Sequence, residues 1–215
     1  MRKHRVTHLE EIDETNDGRC PWRPVRHHFG ITTFGVNAWT AKDAGDRVIN
    51  EHDESDEQEE LYLVQSGRAR FELDGESVDA PAGTFVYAEP GVKRTAFAEE
   101  AGTTVVVMGG TPGQAYEVSG WDVWMPFHSL YEEGKYAEAA DASREAVESA
   151  NYAMPLYNLA CTEALAGRKD DAMKHLRAAF AASPSDRLRA TAREDSDLDP
   201  IRGEPGFQEL VGGRE

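Results

Sequence analysis

Apolar residues in the first half of the chain occur in short runs that alternate with polar ones and are broken by Gly, Pro and Asp. These runs occupy residues 31–39, 68–73, 84–88 and 103–108. Asp74-Gly75 lies between two such runs and is typical of a hairpin turn. Many short strands separated by turns predict an all-β barrel or sandwich over about residues 25–108.

The second half has a helical period and is rich in alanine. Residues 136–147 form a run of strong helix formers, and residues 156–165 and 170–180 predict two more helices with Gly167 at the break between them. The two halves together predict a segregated α+β protein, with an all-β domain first and an all-α domain second.

The second half resembles the tetratricopeptide repeat at its signature spacings. The matching residues are Leu156, Leu159, Ala160, Ala172, Leu176, Ala179 and Pro184. A shift of 33 residues places Gly134 on Gly167, which predicts a second, more degenerate copy with helices near 123–133 and 136–149. The resemblance implies helical hairpins that bind a protein partner. A last helix over 205–211 is expected to cover their apolar edge.

Two segments of the first half carry the spacing of a pair of metal-binding motifs. The first segment contains Gly45, His52 and Glu60, with six residues between Glu60 and Gly67, and the second segment runs from Gly83 to Ala98. These spacings resemble the cupin superfamily, whose motifs are G-x5-HxH-x3,4-E-x6-G and G-x5-PxG-x2-H-x3-N. The resemblance implies a double-stranded β-helix barrel over residues 22–113.

This chain departs from the cupin motifs at most of the metal ligands. Glu54 is the nearest stand-in for the second histidine of the first motif, and Arg94 takes the place of the second motif's histidine. Glu89 replaces its proline and Ala98 its asparagine. Because arginine is always cationic, Arg94 cannot ligate a metal and attracts carboxylates instead.

Three interpretations of the barrel site remain open. Arg94 pairs internally with Glu60 and replaces the metal, or the pocket binds a small carboxylate, or a divalent metal binds to His52, Glu54 and Glu60. The candidate ligand-binding residues are His52, Glu54, Glu60, Tyr62 and Arg94. No cofactor and no catalytic residue is predicted for the site.

Two further clusters invite a functional interpretation. The acidic run 51–60 is typical of a solvated loop, and a Ca²⁺ or Mg²⁺ site at Glu54, Asp56 and Glu57 is the alternative. His27-His28 lie on a predicted strand, so one of them is expected to face the barrel interior unless both are ordinary strand residues.

Composition narrows the classes of partner. The chain has 215 residues and a net charge of −17, which argues against binding to nucleic acid or anionic membranes. It has no apolar run long enough to span a bilayer, and its N-terminus does not resemble a secretory signal. We expect a cytoplasmic protein in which Cys20 and Cys161 are free thiols, with a bridge left open.

These observations predict an acidic arm (1–21), a cupin-like barrel (22–113), a linker (114–120) and a tetratricopeptide-like domain (121–212). The expected function is a non-catalytic adaptor that binds a protein partner through its helices. Its barrel binds a small anionic ligand or is inert, and a homodimer is left open. The alternative is a metal-dependent cupin enzyme of the dioxygenase, isomerase or decarboxylase type.

Overall fold

A computed structural model describes residues 4–16, 20–53, 58–183 and 186–212 of the chain. The chain divides into two compact units, residues 1–118 (the β unit) and 119–215 (the helical unit). The division lies within the segment 114–120 that the sequence predicts as a linker. All described strands belong to the first unit and most helices to the second, which confirms the α+β class.

The described strands of the β unit form two antiparallel sheets. The strands are β1 (Trp22–Arg23), β2 (Gly35–Thr40), β3 (Arg47–His52), β4 (Glu59–Ser66), β5 (Arg68–Leu73), β6 (Glu76–Pro81), β7 (Phe85–Ala88), β8 (Arg94–Ala98) and β9 (Thr104–Gly110). One sheet has the order β1-β2-β9-β4-β7 and the other β3-β8-β5-β6. Buried side chains from both sheets form one core, including Tyr62, Phe71, Val86, Ala96 and Val105.

The hairpin between β5 and β6 shows how local sequence sets the register. Asp74 and Gly75 both have positive φ, at 50° and 87°, as a tight two-residue turn between antiparallel strands requires. Leu73 therefore pairs with Glu76, and the register continues to Arg68 opposite Pro81. This alternation directs Ala69 and Phe71 into the core.

The predicted strand at His27-His28 is wrong. These residues lie in the short helix α1 (Val25–Phe29), which begins after Pro24 and ends at Gly30 in the left-handed conformation. Proline before a helix and a left-handed glycine after it are local helix boundaries that outweigh strand propensity here. Both histidines are exposed, so neither faces the interior of the β unit.

The helical unit contains helices over most of its described length. They are α2 (Gly120–Trp124), α3 (His128–Glu132), α4 (Tyr136–Ala150), α5 (Ala153–Leu165), α6 (Lys169–Ala182), α7 (Arg187–Glu194) and α8 (Phe207–Gly212). The helix expected near 123–133 is interrupted by a 3-10 turn that contains Pro126, which lacks the backbone donor a continuous α-helix needs. None of the described helices has both the length and the apolar character needed to cross a membrane.

Helices α5 and α6 pack closely because their contacting residues are small. Ala160, Ala164, Ala172 and Ala179 are all fully buried or nearly so. Gly167 has φ +77° and provides the left-handed residue that ends α5 and lets the chain reverse. Cys161, on α5, is a buried free thiol, and Cys20 in the β unit is also free.

A buried histidine links three helices of this unit. His175 on α6 is 1% exposed, and its Nδ1 lies 2.6 Å from Glu163 Oε2 on α5. Its Nε2 lies 2.9 Å from Glu148 Oε1 on α4, and Arg144 Nη2 lies 2.7 Å from the other oxygen of Glu163. Burial, the largest influence, lowers the pKa of His175, but the hydrogen bonds with Glu163 and Glu148 outweigh it and the pKa is raised.

We predict that, at pH values below 6.5, His175→Gln lowers the free energy of unfolding by about 2–3 kcal/mol. The reason is that Glu163 loses a buried, positively charged partner. The pKa is raised on folding, so the contribution of His175 is complete at acidic pH and is lost as pH rises through the folded-state pKa. Urea unfolding at several pH values checks this. His28→Gln, at an exposed position, is the control, and a pH-independent difference for His175→Gln would contradict the prediction.

Candidate functional site

The candidate site lies where the two sheets of the β unit face each other. Glu60 and Tyr62 are two apart on β4, so both side chains point to the same, inner face. His52 ends β3, Arg94 begins β8, and the two are paired across these neighbouring strands. The sequence motifs therefore bring four of the five candidate residues together, two from each sheet.

One carboxylate oxygen lies at the centre of this cluster. Glu60 Oε2 accepts hydrogen bonds from Arg94 Nη2 at 2.9 Å and from Arg94 Nε at 3.1 Å. It also lies 3.1 Å from His52 Nε2 and accepts a short hydrogen bond from the Tyr62 hydroxyl. Burial raises the pKa of Glu60, but these donors together outweigh burial, so its pKa is lowered and the carboxylate is ionised.

Arg94 is the most deeply buried charged group of the cluster. Its side chain is 0% exposed, against 14% for Glu60 and 31% for His52. The guanidinium also bonds to the Tyr62 hydroxyl at 3.1 Å and to the Val92 carbonyl oxygen at 2.7 Å. The Tyr62 ring packs edge-on against Phe71 of the opposite sheet, with ring centroids 5.4 Å apart. The internal Arg–Glu pair considered from the sequence is present.

The hydrogen bonds of His52 determine its protonation. Its Nδ1 lies 2.7 Å from the Asn50 carbonyl oxygen, which can only accept, so Nδ1 carries a proton. Its Nε2 faces the Glu60 carboxylate, which also can only accept. Burial is the largest influence and lowers the pKa of His52, but the hydrogen bonds with Glu60 and Asn50 outweigh it and raise the pKa. The geometry therefore favours the imidazolium.

The described residues of this cluster do not fit a divalent metal. Among the described residues of the cluster, only His52 and Glu60 have side chains that commonly bind divalent metals, and three or four ligands are normally required. The carboxylate oxygen that would bind the ion already accepts from Arg94 at 2.9 Å, so an ion there would be repelled by the guanidinium. Glu54, like Asp56 and Glu57 of the alternative calcium site, lies outside the described residues.

Gly109 contributes to the site in a way that the sequence did not indicate. Gly109 and Gly110 end β9, and Gly109 pairs with Glu60 across the sheet. A β-carbon at position 109 would lie 3.2 Å from Glu60 Cγ and 3.1 Å from the Glu59 carbonyl oxygen. Glycine at this position therefore leaves room for the Glu60 side chain.

A second cluster of potential metal ligands lies in the helical unit, and the sequence did not predict it. Ligand atoms of Cys161, Asp195 and Asp197 lie within 4.8 Å of one another. Tyr157 donates a hydrogen bond of 2.7 Å to Asp195, and the Tyr131 hydroxyl donates one to Asp197. Burial followed by the charge of Asp195 raises the pKa of the Cys161 thiol. The thiol is therefore protonated, and this cluster links α5 to Asp195, which caps the 3-10 turn Ser196–Ile201, and α3 to Asp197 within that turn.

Comparisons with known proteins gave similarities to solved structures only, since no family model and no curated protein matches this chain. A cupin protein from Bacteroides fragilis is 18% identical, with 55% of this chain and 93% of that chain covered and a TM-score of 0.43. KdgF from a Halomonas species is 19% identical, covering 46% of this chain and 86% of that chain, with a TM-score of 0.41.

A sugar phosphate isomerase from a cupin superfamily of Silicibacter pomeroyi is 18% identical. That comparison covers 49% of this chain and 74% of the isomerase, with a TM-score of 0.42. The solved structures to which this chain is similar thus include proteins described as cupins.

Proposed function

We propose that this protein is a non-catalytic, intracellular binding protein whose β unit has an internal ion pair in place of a metal. The observation that supports this most directly is Arg94, fully buried and bonded to Glu60 at the position where the cupin motif has a histidine ligand. In this proposal the Arg94–Glu60 pair takes the structural role that a bound metal would otherwise have.

The charge of the cluster favours a small anion as its ligand. At a pH below the raised pKa of His52, Arg94 and His52 carry two positive charges against the single negative charge of Glu60, in a chain of net charge −17. His52 has the most exposed side chain of the three, at 31%, so a ligand would approach from its side. A small carboxylate or phosphate fits a site with one excess positive charge.

The Cys20 thiol is not activated as a nucleophile. Burial, and then the charges of Asp46 and Glu14, raise the pKa of Cys20 to about 11, so its thiol is protonated at neutral pH. A protonated thiol is a poor nucleophile. The metal-dependent enzyme remains the rival, and it requires that His52, Glu54 and Glu60 bind an ion despite Arg94.

For the helical unit we propose a tetratricopeptide-like pair of hairpins that binds a protein partner. The support is the alternation of helix and short turn, with left-handed glycines at Gly134 and Gly167 in corresponding places. The small buried residues Ala139 and Ala172, also 33 positions apart, agree with such a repeat.

We predict that protein purified without chelators contains well under one equivalent of transition metal. The reason is that the Arg94 guanidinium is hydrogen-bonded to the Glu60 carboxylate, which an ion would need as a ligand. Elemental analysis of the full chain checks this, with His52→Ala as the comparison. Near-stoichiometric metal that is lost in His52→Ala would contradict the binding proposal and support the enzyme.

We predict that Arg94→Ala lowers the free energy of unfolding by about 2–4 kcal/mol, because it leaves the carboxylate of Glu60 ionised and only partly paired. Arg94→Lys keeps the charge but loses part of the guanidinium's hydrogen bonding, so its loss is expected to be smaller. The control is Arg68→Ala, which breaks an exposed pair with Asp79 and should cost about 0–1 kcal/mol. Equal losses for Arg94→Ala and Arg68→Ala, in chemical unfolding, would contradict the structural role.

We predict that Arg94→His increases affinity for Ni²⁺ or Zn²⁺, since it removes the resident positive charge and adds an imidazole beside His52 and Glu60. Thermal-shift titration of wild type and variant with each metal measures this. A variant with unchanged metal response would show that position 94 does not control access of an ion to Glu60.

We predict that succinate binds the wild-type protein more weakly as pH rises, because His52 loses its positive charge above its raised pKa while succinate stays fully ionised. Calorimetric titration at several pH values measures the affinity. His52→Gln should bind weakly at every pH, whereas His28→Gln should behave as wild type. Binding that is independent of both pH and His52 would place the anion elsewhere.

A further inference from the structure

A cleft in the helical unit lies between the second half of α6 and the helices α7 and α8. Its volume is about 840 Å³, which is within the range of pockets that bind small molecules. We name it the α6–α8 cleft. The residues of its lining that matter here are Arg177, Phe180, Asp186, Arg189, Glu209 and Leu210.

The walls of the cleft are fixed by contacts that lie outside it. On α7, Leu188 and Ala192 are buried, and on α8, Phe207 and Val211 are buried. The Nε of Arg193, on α7, donates a hydrogen bond of 3.0 Å to the Val211 carbonyl oxygen at the end of α8. The cleft is therefore formed before any ligand binds, which lowers the entropic cost of binding.

The floor of the cleft is apolar and carries no net charge. Phe180 is 3% exposed, and the guanidinium carbon of Arg189 lies 4.8 Å from the centre of its ring. The same guanidinium forms an ion pair with Asp186 at 3.0 Å, so these two charges offset each other. Phe180 and Leu210 are the large apolar side chains of the lining.

Two further charges of the lining, Arg177 and Glu209, lack a protein partner. Among the residues that the structure describes, neither side chain forms a hydrogen bond or an ion pair. A β-carbon at Gly206 would lie 3.6 Å from Arg177 Nη2, so this guanidinium reaches the loop that precedes α8. The cleft thus presents one available cation and one available anion beside an apolar floor.

We propose that the α6–α8 cleft binds a small zwitterion with an apolar side chain, either a free amino acid or a short peptide. The ligand's carboxylate accepts hydrogen bonds from the Arg177 guanidinium, whose planar donors match a carboxylate. Its ammonium group pairs with the Glu209 carboxylate. Its apolar side chain packs on Phe180 and Leu210.

A zwitterion fits this lining better than an ion of one sign. A purely anionic ligand would be repelled by Glu209 and by the net charge of −17 on the chain, and a purely cationic one would be repelled by Arg177. A molecule with both charges meets an opposite charge at each end. The site belongs to the helical unit alone, and it does not rest on the anion binding proposed for the β unit.

Calorimetric titration of the full chain with the tripeptide Ala-Leu-Ala tests this proposal. We expect the zwitterionic tripeptide to bind about tenfold or more tightly than its N-acetylated form or its C-amidated form, since each blocked form loses one charge pair. In Arg177→Ala the amidated form should bind as well as the free tripeptide. In Glu209→Gln the same should hold for the acetylated form, because the partner of the blocked group is already absent.

The matched controls are Arg187→Ala and Glu145→Gln, at exposed residues of the same unit outside the cleft lining. Both should bind the tripeptide as wild type does, and circular dichroism should show the wild-type fold in all four variants. Titration with leucine identifies the source of the ligand. Tighter binding of leucine than of the tripeptide assigns a free amino acid, and weaker binding assigns a peptide.

Three results would overturn the proposal. The first is that neither leucine nor the tripeptide binds at millimolar concentration. The second is that amidation still weakens binding to Arg177→Ala, or acetylation still weakens binding to Glu209→Gln, which would place the ligand elsewhere. The third is equal weakening by Arg187→Ala and Arg177→Ala, since the effect would then come from the net charge of the chain.

Discussion

A single carboxylate oxygen, Glu60 Oε2, connects the two sheets of the β unit at the candidate site. It receives donors from β3, β4 and β8, and no other described group in the cluster can accept from all of them. Removing Arg94 and Glu60 from water is unfavourable, and the interaction is stabilising only because several hydrogen bonds reach the same ionised oxygen. The positions of His52 and Tyr62 therefore depend on Glu60 remaining charged.

Both units use the same physical solution for a polar group in a packed interior. In the β unit a buried arginine neutralises Glu60, and in the helical unit His175 lies between Glu163 and Glu148. The two buried cations, Arg94 and His175, differ in the pH range over which they keep their positive charge. Arginine keeps its charge at every pH the protein meets, whereas histidine loses its charge when pH rises far enough. The Arg94–Glu60 pair of the β unit therefore keeps its charges as pH rises, whereas His52 beside it loses its proton.

The sequence predicts most of the fold because local rules and tertiary packing agree over long stretches. Arg68–Leu73 is a strand with the predicted bounds, and the Asp74-Gly75 turn sets its register. The motif spacing also brings His52, Glu60 and Arg94 together. Two features of the structure do not follow from the spacing of residues in the sequence. The helix at His27-His28 is set by the residues at its ends, and the role of Gly109 depends on which residue lies across the sheet.

The shared oxygen of Glu60 has an evolutionary consequence for positions 60 and 94. A change at either position alone leaves one ionised group buried without its main partner, so each single step passes through a less stable protein. Only paired changes, or a change at 94 to a residue that recruits another cation, avoid this. The two positions are therefore epistatic, and among homologous sequences they should vary together rather than independently.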